Sequence, residues 1–176
     1  MERKLGADDL RSLFADLAQE LALRNVRGEV HLAGGAAMSL EYNSDLLSGD
    51  ADAQFAPDGP MIEAINAVAV KRGLSRSWLN NQASVYFSPL AQPGKTVFEH
   101  RHLVVMVTPP EHLASMKILA ARSTRDRDDL LLLIDYLGWS RQDELLSAVS
   151  SYFPHEELGA RQRAMLDSLG LAEAGG

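Results

Sequence analysis

Cysteine is absent from all 176 residues. Disulfides, thiolate nucleophiles and cysteine-ligated zinc are therefore excluded, which agrees with a reducing cytosol. Long apolar runs are also missing. Leu130–Ile134, as long as any in the chain, is far too short to span a bilayer. The opening residues MERKLGADDL lack the apolar centre of a secretory signal. The expectation is a cytoplasmic protein without a membrane partner. Positive charge is scarce: 17 Lys and Arg face 24 Asp and Glu, a net charge of −7. Proteins that grip nucleic acid by neutralising phosphate are usually basic. A long nucleic acid would thus need a local basic patch here, whereas a short RNA end is compatible with the balance. The G-x-G-x-x-G pattern is absent as well, which argues against a dinucleotide-binding Rossmann unit.

What is present is a hydrophobic content of 46%, ordinary for a folded domain and too high for wholesale disorder. The chain is organised around Val30–Phe55, VHLAGGAAMSLEYNSDLLSGDADAQF. Val30–Ala33 reads as a short buried strand, Gly34-Gly35 as a turn, and Ala36–Tyr42 as a helix. Ser48-Gly49-Asp50-Ala51-Asp52 then leads into a second strand ending at Phe55. A glycine pair after a strand lets main chain approach a ligand and aims a helix N-terminus at it, which suits phosphate. Residues two apart on a strand face the same way, so Asp50 and Asp52 are expected to share a face. Two adjacent carboxylates repel unless a cation lies between them. Hard divalent ions take oxygen ligands and bridge nucleotide phosphates. A phosphate cradle and a carboxylate pair joined by one helix describe a nucleotidyl-transfer site.

Elsewhere the periodicity predicts elements of ordinary kinds. Leu10, Leu13, Phe14, Leu17 and Leu21 form the stripe of a helix opening at Asp8-Asp9 and ending near Asn25–Gly28. Met61, Ile62, Ile65, Val68 and Ala69 form the face of another, stopped at Gly73. Trp78–Asn81 reads as a compact loop. Val85–Phe87, Val97-Phe98 and Leu103–Val107 read as strands. Thr108 is expected to cap a helix begun by Pro109, Pro110 and Glu111. Ser123 or Thr124 is expected to cap the next, which Gly138 ends. Ser140–Ser151 and Glu156–Leu169 complete a helical C-terminal region. His31 reads as a strand histidine beside the glycines. His100 and His102 have a metal-compatible spacing without an evident third ligand.

The pattern Gly-Gly-x-Ala followed by Ser-x-Asp-x-Asp resembles the minimal nucleotidyltransferases of the DNA-polymerase-beta superfamily, and within it the AbiEii/MenT-like toxin group. The similarity extends to Trp78–Asn80, to Glu111–Arg122 and to Arg125–Leu130. It implies an α/β fold with a small mixed sheet of the nucleotidyltransferase type flanked by helices. Residues 1–110 would form that core and 111–176 a helical region packed on it, as one compact unit. It implies transfer of a nucleoside monophosphate from a nucleoside triphosphate (NTP) to an acceptor hydroxyl on tRNA or protein, and a cognate antitoxin as partner. Asp50 and Asp52 would hold Mg2+ or Mn2+. Gly34, Gly35 and Ser48 would contact the triphosphate, Lys117 would neutralise charge, and Asp126 or Asp129 would add a carboxylate. Related proteins carry arginines ahead of the Asp-x-Asp, where this chain has Asp45-Leu46-Leu47. That departure keeps open a catalytically degenerate interaction protein and, given the acidic balance, a small-molecule nucleotidyltransferase of the antibiotic-modifying type.

Overall fold

The computed structural model describes residues 4–43 and 45–173. Among them the fold is mixed α/β, with a five-stranded sheet in the order β3-β2-β1-β5-β4 and seven α-helices. Two units are distinguished, and the chain visits each twice. Residues 1–85 and 93–108 form the first; 86–92 and 109–176 form the second.

The first unit holds the sheet. Helix α1 (Ala7–Leu23) precedes β1 (Gly28–Leu32), and α2 (Gly34–Ala37) follows β1 after a single residue. Its last turn widens into a π-helical turn, Met38–Tyr42, closed by the Asn43 N–H donating to Met38 O at 2.9 Å. The helix thus begins at the glycine pair itself rather than at Ala36. Next come β2 (Ala51–Ala56), α3 (Asp58–Arg72), β3 (Leu79–Asn80), β4 (Thr96–His100) and β5 (Leu103–Val107). β1 runs parallel to β5 and antiparallel to β2, while β3 is parallel to β2. The C-terminal end of β1 and the N-terminal end of β2 therefore lie side by side.

Period-two alternation supplies the core. Val30, Leu32, Ala51, Ala53, Phe55, Leu103, Val105 and Val107 are buried, as are Leu10, Phe14, Leu17 and Leu21 of α1 and Met61, Ile65 and Val68 of α3. Each fully buried side chain of leucine or phenylalanine size contributes about 1.5–3 kcal/mol. Trp78 belongs to this core: its indole N–H donates to Ile65 O at 3.1 Å and its ring meets Phe14. Ile62 is a correction. It is 46% exposed on α3 and takes no part in the buried stripe. Asp16 of α1 accepts hydrogen bonds from Lys71 and Arg72 at the end of α3. Burial raises the carboxyl pKa of Asp16, but the two cations outweigh it and hold the group below the usual carboxylate range.

In the second unit α4 (Pro110–Ala120) packs against α5 (Ser123–Leu137), α6 (Gln142–Tyr152) and α7 (Ala160–Ser168). Arg161 and Gln162 donate to Ala120 O and Leu119 O, satisfying carbonyls at the C-terminus of α4. Segment 86–92 joins these helices through Ser88, whose N–H donates to His112 Nε2 and whose hydroxyl donates to Tyr152 O.

Several expected local features differ. Val85–Phe87 is not a strand: Gln82–Tyr86 forms a 3-10 turn, with Val85 and Tyr86 exposed and no inward face to pair. Trp78–Asn81 contains the edge strand β3. Thr108 does not cap α4, because its hydroxyl donates to Leu32 O at 2.7 Å; Pro109 takes the cap position. Thr124 does not cap α5, which has Arg122 at its cap; Ser123 is its first residue, and the side chain of Ser123 lies outside the described residues. The Arg122 N–H donates to Asp126 Oδ2 at 2.7 Å, so a carboxylate one turn inside does the capping. α7 starts at Ala160, not Glu156. Among the described residues no helix is long and apolar enough to cross a membrane.

Candidate functional site

The junction of β1, α2, β2 and β3 gathers the chemistry-bearing residues of the first unit. Gly34 has φ +58°, in the left-handed region that favours glycine. A Cβ placed on it would lie 3.0 Å from Asp52 Oδ2, so the Asp52 carboxylate packs against the bare glycine Cα. The Ala33 N–H donates to Asp52 O at 2.8 Å, which extends the β1–β2 ladder to this point. Along β2, Ala51, Ala53 and Phe55 are buried, whereas Asp52 and Gln54 point to the other face.

Asp50 stands one residue before β2. Ser48 and Asn80 are among the residues that hold it. Ser48 Oγ donates to Asp50 O at 2.6 Å, and Asn80 Nδ2 donates to Asp50 Oδ2 at 3.2 Å. Asn80 is also the register partner of Asp52 across the β2–β3 pair. Asp50, Asp52, Asn80 and Gly34 are thereby linked through named contacts. Ser48 is buried, and its backbone exchanges hydrogen bonds with Leu5 at 2.9 and 2.7 Å. Gly35 follows Gly34 within α2.

Lys117, Asp126 and Asp129 belong to the second unit. Lys117 is not a solvated helix lysine. Its amine donates to Asp126 Oδ1 at 3.2 Å and to Asp129 Oδ2 at 2.5 Å, with all three side chains under 10% exposed. Of the alternating charges in this segment, Arg125 and Asp128 are exposed.

Among the described residues, no group of three or more His, Asp or Glu side chains is arranged to hold a metal ion. The residues whose chemistry suits a divalent cation are Asp50 and Asp52, with the Asn80 amide hydrogen-bonded to Asp50. This donor chemistry fits magnesium, which is bound through one or two carboxylates with substrate phosphates and water completing the shell. His31 Nε2 lies 2.6 Å from Glu29 Oε1, a satisfied strand histidine. His100 Nδ1 accepts from the His102 N–H, and the rings stand 6.0 Å apart without a third ligand.

Asn80 is the member of the cluster that the sequence did not single out as a site residue. The available signal was the resemblance over Trp78–Asn80, which implied that this loop borders the site without giving Asn80 a role.

No family model matches the chain, and no curated protein matches it. Among solved structures it is similar to an antigenic nucleotidyltransferase-like protein from Paracoccidioides brasiliensis. The two share 16% identity and a TM-score of 0.46, over 98% of this chain and 97% of that one.

Proposed function

We propose that this chain binds an NTP with magnesium or manganese at Gly34, Asp50 and Asp52 and moves its nucleoside monophosphate to an acceptor hydroxyl. The observation that carries this reading is the contact between Gly34 and Asp52: a left-handed glycine, bare of side chain, pressed against one carboxylate of an Asp-x-Asp pair. Open main chain and paired carboxylates are what a polyphosphate with its cation needs from a protein.

Each residue has a task in this reading. Gly34 and Gly35 allow phosphate to reach the main chain, where the first N–H groups of α2 lack intrahelical partners. Ser48 gives its only proton to Asp50 O, so it shapes the turn carrying Asp50; contact with phosphate would require that bond to open. Asp50 and Asp52 would hold the ion. Bound there, it would neutralise phosphate charge and ease deprotonation of the acceptor hydroxyl. The acceptor oxygen forms the new bond to the α-phosphorus, its proton leaves, and pyrophosphate departs with the electrons of the broken bond. Lys117 enters as a candidate for charge neutralisation and Asp126 or Asp129 as a further carboxylate; the amine would have to loosen one of its two carboxylate bonds to do so. The acceptor we favour is a tRNA or protein hydroxyl, with the chain acting as the toxin of a toxin–antitoxin pair in the cytoplasm.

A second reading draws on a different observation. The sequence has no Lys or Arg from Glu41 through Asp52, and Asp45 is exposed within that span. A triphosphate beside it would meet repulsion rather than charge-assisted contacts, which favours a non-catalytic interaction protein.

Incubation of the protein with each α-labelled NTP, magnesium and cell extract separates the two. Label in RNA or protein that disappears in the Asp50→Asn/Asp52→Asn variant supports transfer. Nucleotide binding without label transfer favours the interaction protein. Absence of nucleotide binding at any salt overturns the transfer reading and leaves the interaction protein.

A further inference from the structure

Asn80 is 8% exposed, yet every polar atom of its side chain has a partner. Oδ1 accepts from the Gln82 N–H at 3.0 Å. Nδ2 donates to Ser77 O at 3.3 Å and to Asp50 Oδ2 at 3.2 Å. These partners fix which way the amide faces. Gln82 N–H can be met only by oxygen and Ser77 O only by N–H. Turning the amide over would break both bonds and set its oxygen against the Asp50 carboxylate. The amide N–H therefore points at Asp50 by construction of β3, thirty residues along the chain.

Asn80 also occupies the register position opposite Asp52, and paired residues of neighbouring strands project to the same face. It stands as the neutral third group beside two carboxylates. An aspartate is nearly the same size and would complete a three-carboxylate cluster, so the choice of amide over acid has an electrostatic consequence.

We infer that Asn80 is the positioning residue of this cluster: its amide sets the orientation of the Asp50 carboxylate, and its neutrality keeps cation affinity low until a polyphosphate arrives. The second half rests on the nucleotide reading above; the first does not. With an acid at position 80, the cluster would hold a divalent ion without phosphate, and the added negative charge would oppose the incoming triphosphate. With the amide, the ion is held well only when phosphate oxygens complete its shell.

The experiment has two arms that fail separately. In the first, the side-chain NH2 resonances of Asn80 are followed by 15N NMR in wild type and in Asp50→Asn. Replacing the charged acceptor should move them. Unmoved resonances overturn the inference. Asn80 itself stays in place in this arm, so the result does not depend on whether variants at position 80 fold. In the second, Mn2+ binding is measured by electron paramagnetic resonance, without and with a non-hydrolysable NTP analogue, in wild type, Asn80→Asp, Asn80→Ser and Asn80→Ala. Melting curves accompany each variant. Asn80→Asp should tighten Mn2+ alone by about tenfold and weaken the analogue. Asn80→Ala should weaken the Mn2+–analogue pair by about ten- to a hundredfold, since one hydrogen bond to a charged group is lost, and Asn80→Ser should recover part of that loss. Equal Mn2+ affinity across folded variants overturns the affinity role. Absence of Mn2+ binding in wild type with or without analogue overturns the proposed function and the affinity role together, while the NMR arm still decides the positioning role.

Discussion

His112 Nε2 accepts the backbone N–H of Ser88 at 3.2 Å, and that bond leaves the proton of the neutral ring on Nδ1. His112 is fully buried, stacked on Tyr152 at 4.5 Å with Phe87 and Phe153 around it. Nδ1 has no hydrogen-bond partner among the described residues. Burial without a counter-charge pushes the imidazole pKa down to about 4.

The first prediction is a pH dependence of stability. The folded protein keeps His112 neutral while the unfolded chain takes up a proton near its ordinary value of 6.5. Stability from this residue is thus full above that value and is lost as pH falls toward about 4. Over the whole interval the loss should reach about 3 kcal/mol, from about 1.4 kcal/mol per pKa unit. Urea denaturation at pH 7 and pH 5 should show His112→Phe losing less stability than wild type. Equal losses would mean the ring is reached by water.

The second prediction concerns the buried charges of α4 and α5. Lys117→Met should destabilise by about 3–5 kcal/mol, because it leaves Asp126 and Asp129 buried without their cation. Adding Asp129→Asn should recover part of the loss. Chemical denaturation with a double-mutant cycle measures both. A Lys117→Met protein as stable as wild type would place the amine in water.

A third prediction contrasts Gly34 with Gly49, the residue before Asp50. Gly34→Ala should cost about 1–2 kcal/mol for the left-handed backbone alone. It should also displace the Asp52 carboxylate, which a Cβ would approach to 3.0 Å, and so weaken NTP binding. A Cβ on Gly49 meets nothing within 4 Å, so Gly49→Ala serves as the tolerant control. Calorimetric titration of both variants checks this. Equal NTP affinity in the two would remove Gly34 from the phosphate contact.

The fourth prediction uses the charge deficit before Asp50. Asp45→Arg exchanges an exposed carboxylate for a cation; the Asp45 N–H donating to Asn43 Oδ1 at 3.1 Å is main chain and survives the change. NTP affinity should rise at low salt and the gain should shrink as salt increases. Screening at this exposed position limits the effect to about 1 kcal/mol. The same affinity at low salt would show that residue 45 does not face phosphate.

The fold was legible where periodicity was long. The α1 stripe, the α3 face apart from Ile62, and the strand Leu103–Val107 come out as the sequence predicts, because burial of one face dictates each pattern. It was illegible where a tertiary partner overrode a local preference. Thr108 has cap chemistry, yet Leu32 O claims its hydroxyl. Val85–Phe87 has strand composition, yet the chain turns there. β3 has two residues, too few to show a period. The candidate site divides in the same way. Gly34 and Asp52 stand at either end of the one helix-and-loop connection between the consecutive strands β1 and β2, so their order along the chain anticipates their meeting. Asn80 reaches Asp50 only through the pairing of β2 with β3, a register that composition does not encode.

The interleaved path of the two units bears on how this gene can be divided. A fragment ending after codon 108 would carry residues 86–92 without the helices they belong with, and the complementary fragment would lack Ser88, the donor to His112 Nε2. Neither half is a transferable cassette. Recombination that exchanges the C-terminal helices alone would separate partners inherited on opposite sides of the crossover. A single cut in the chain therefore frees neither unit whole.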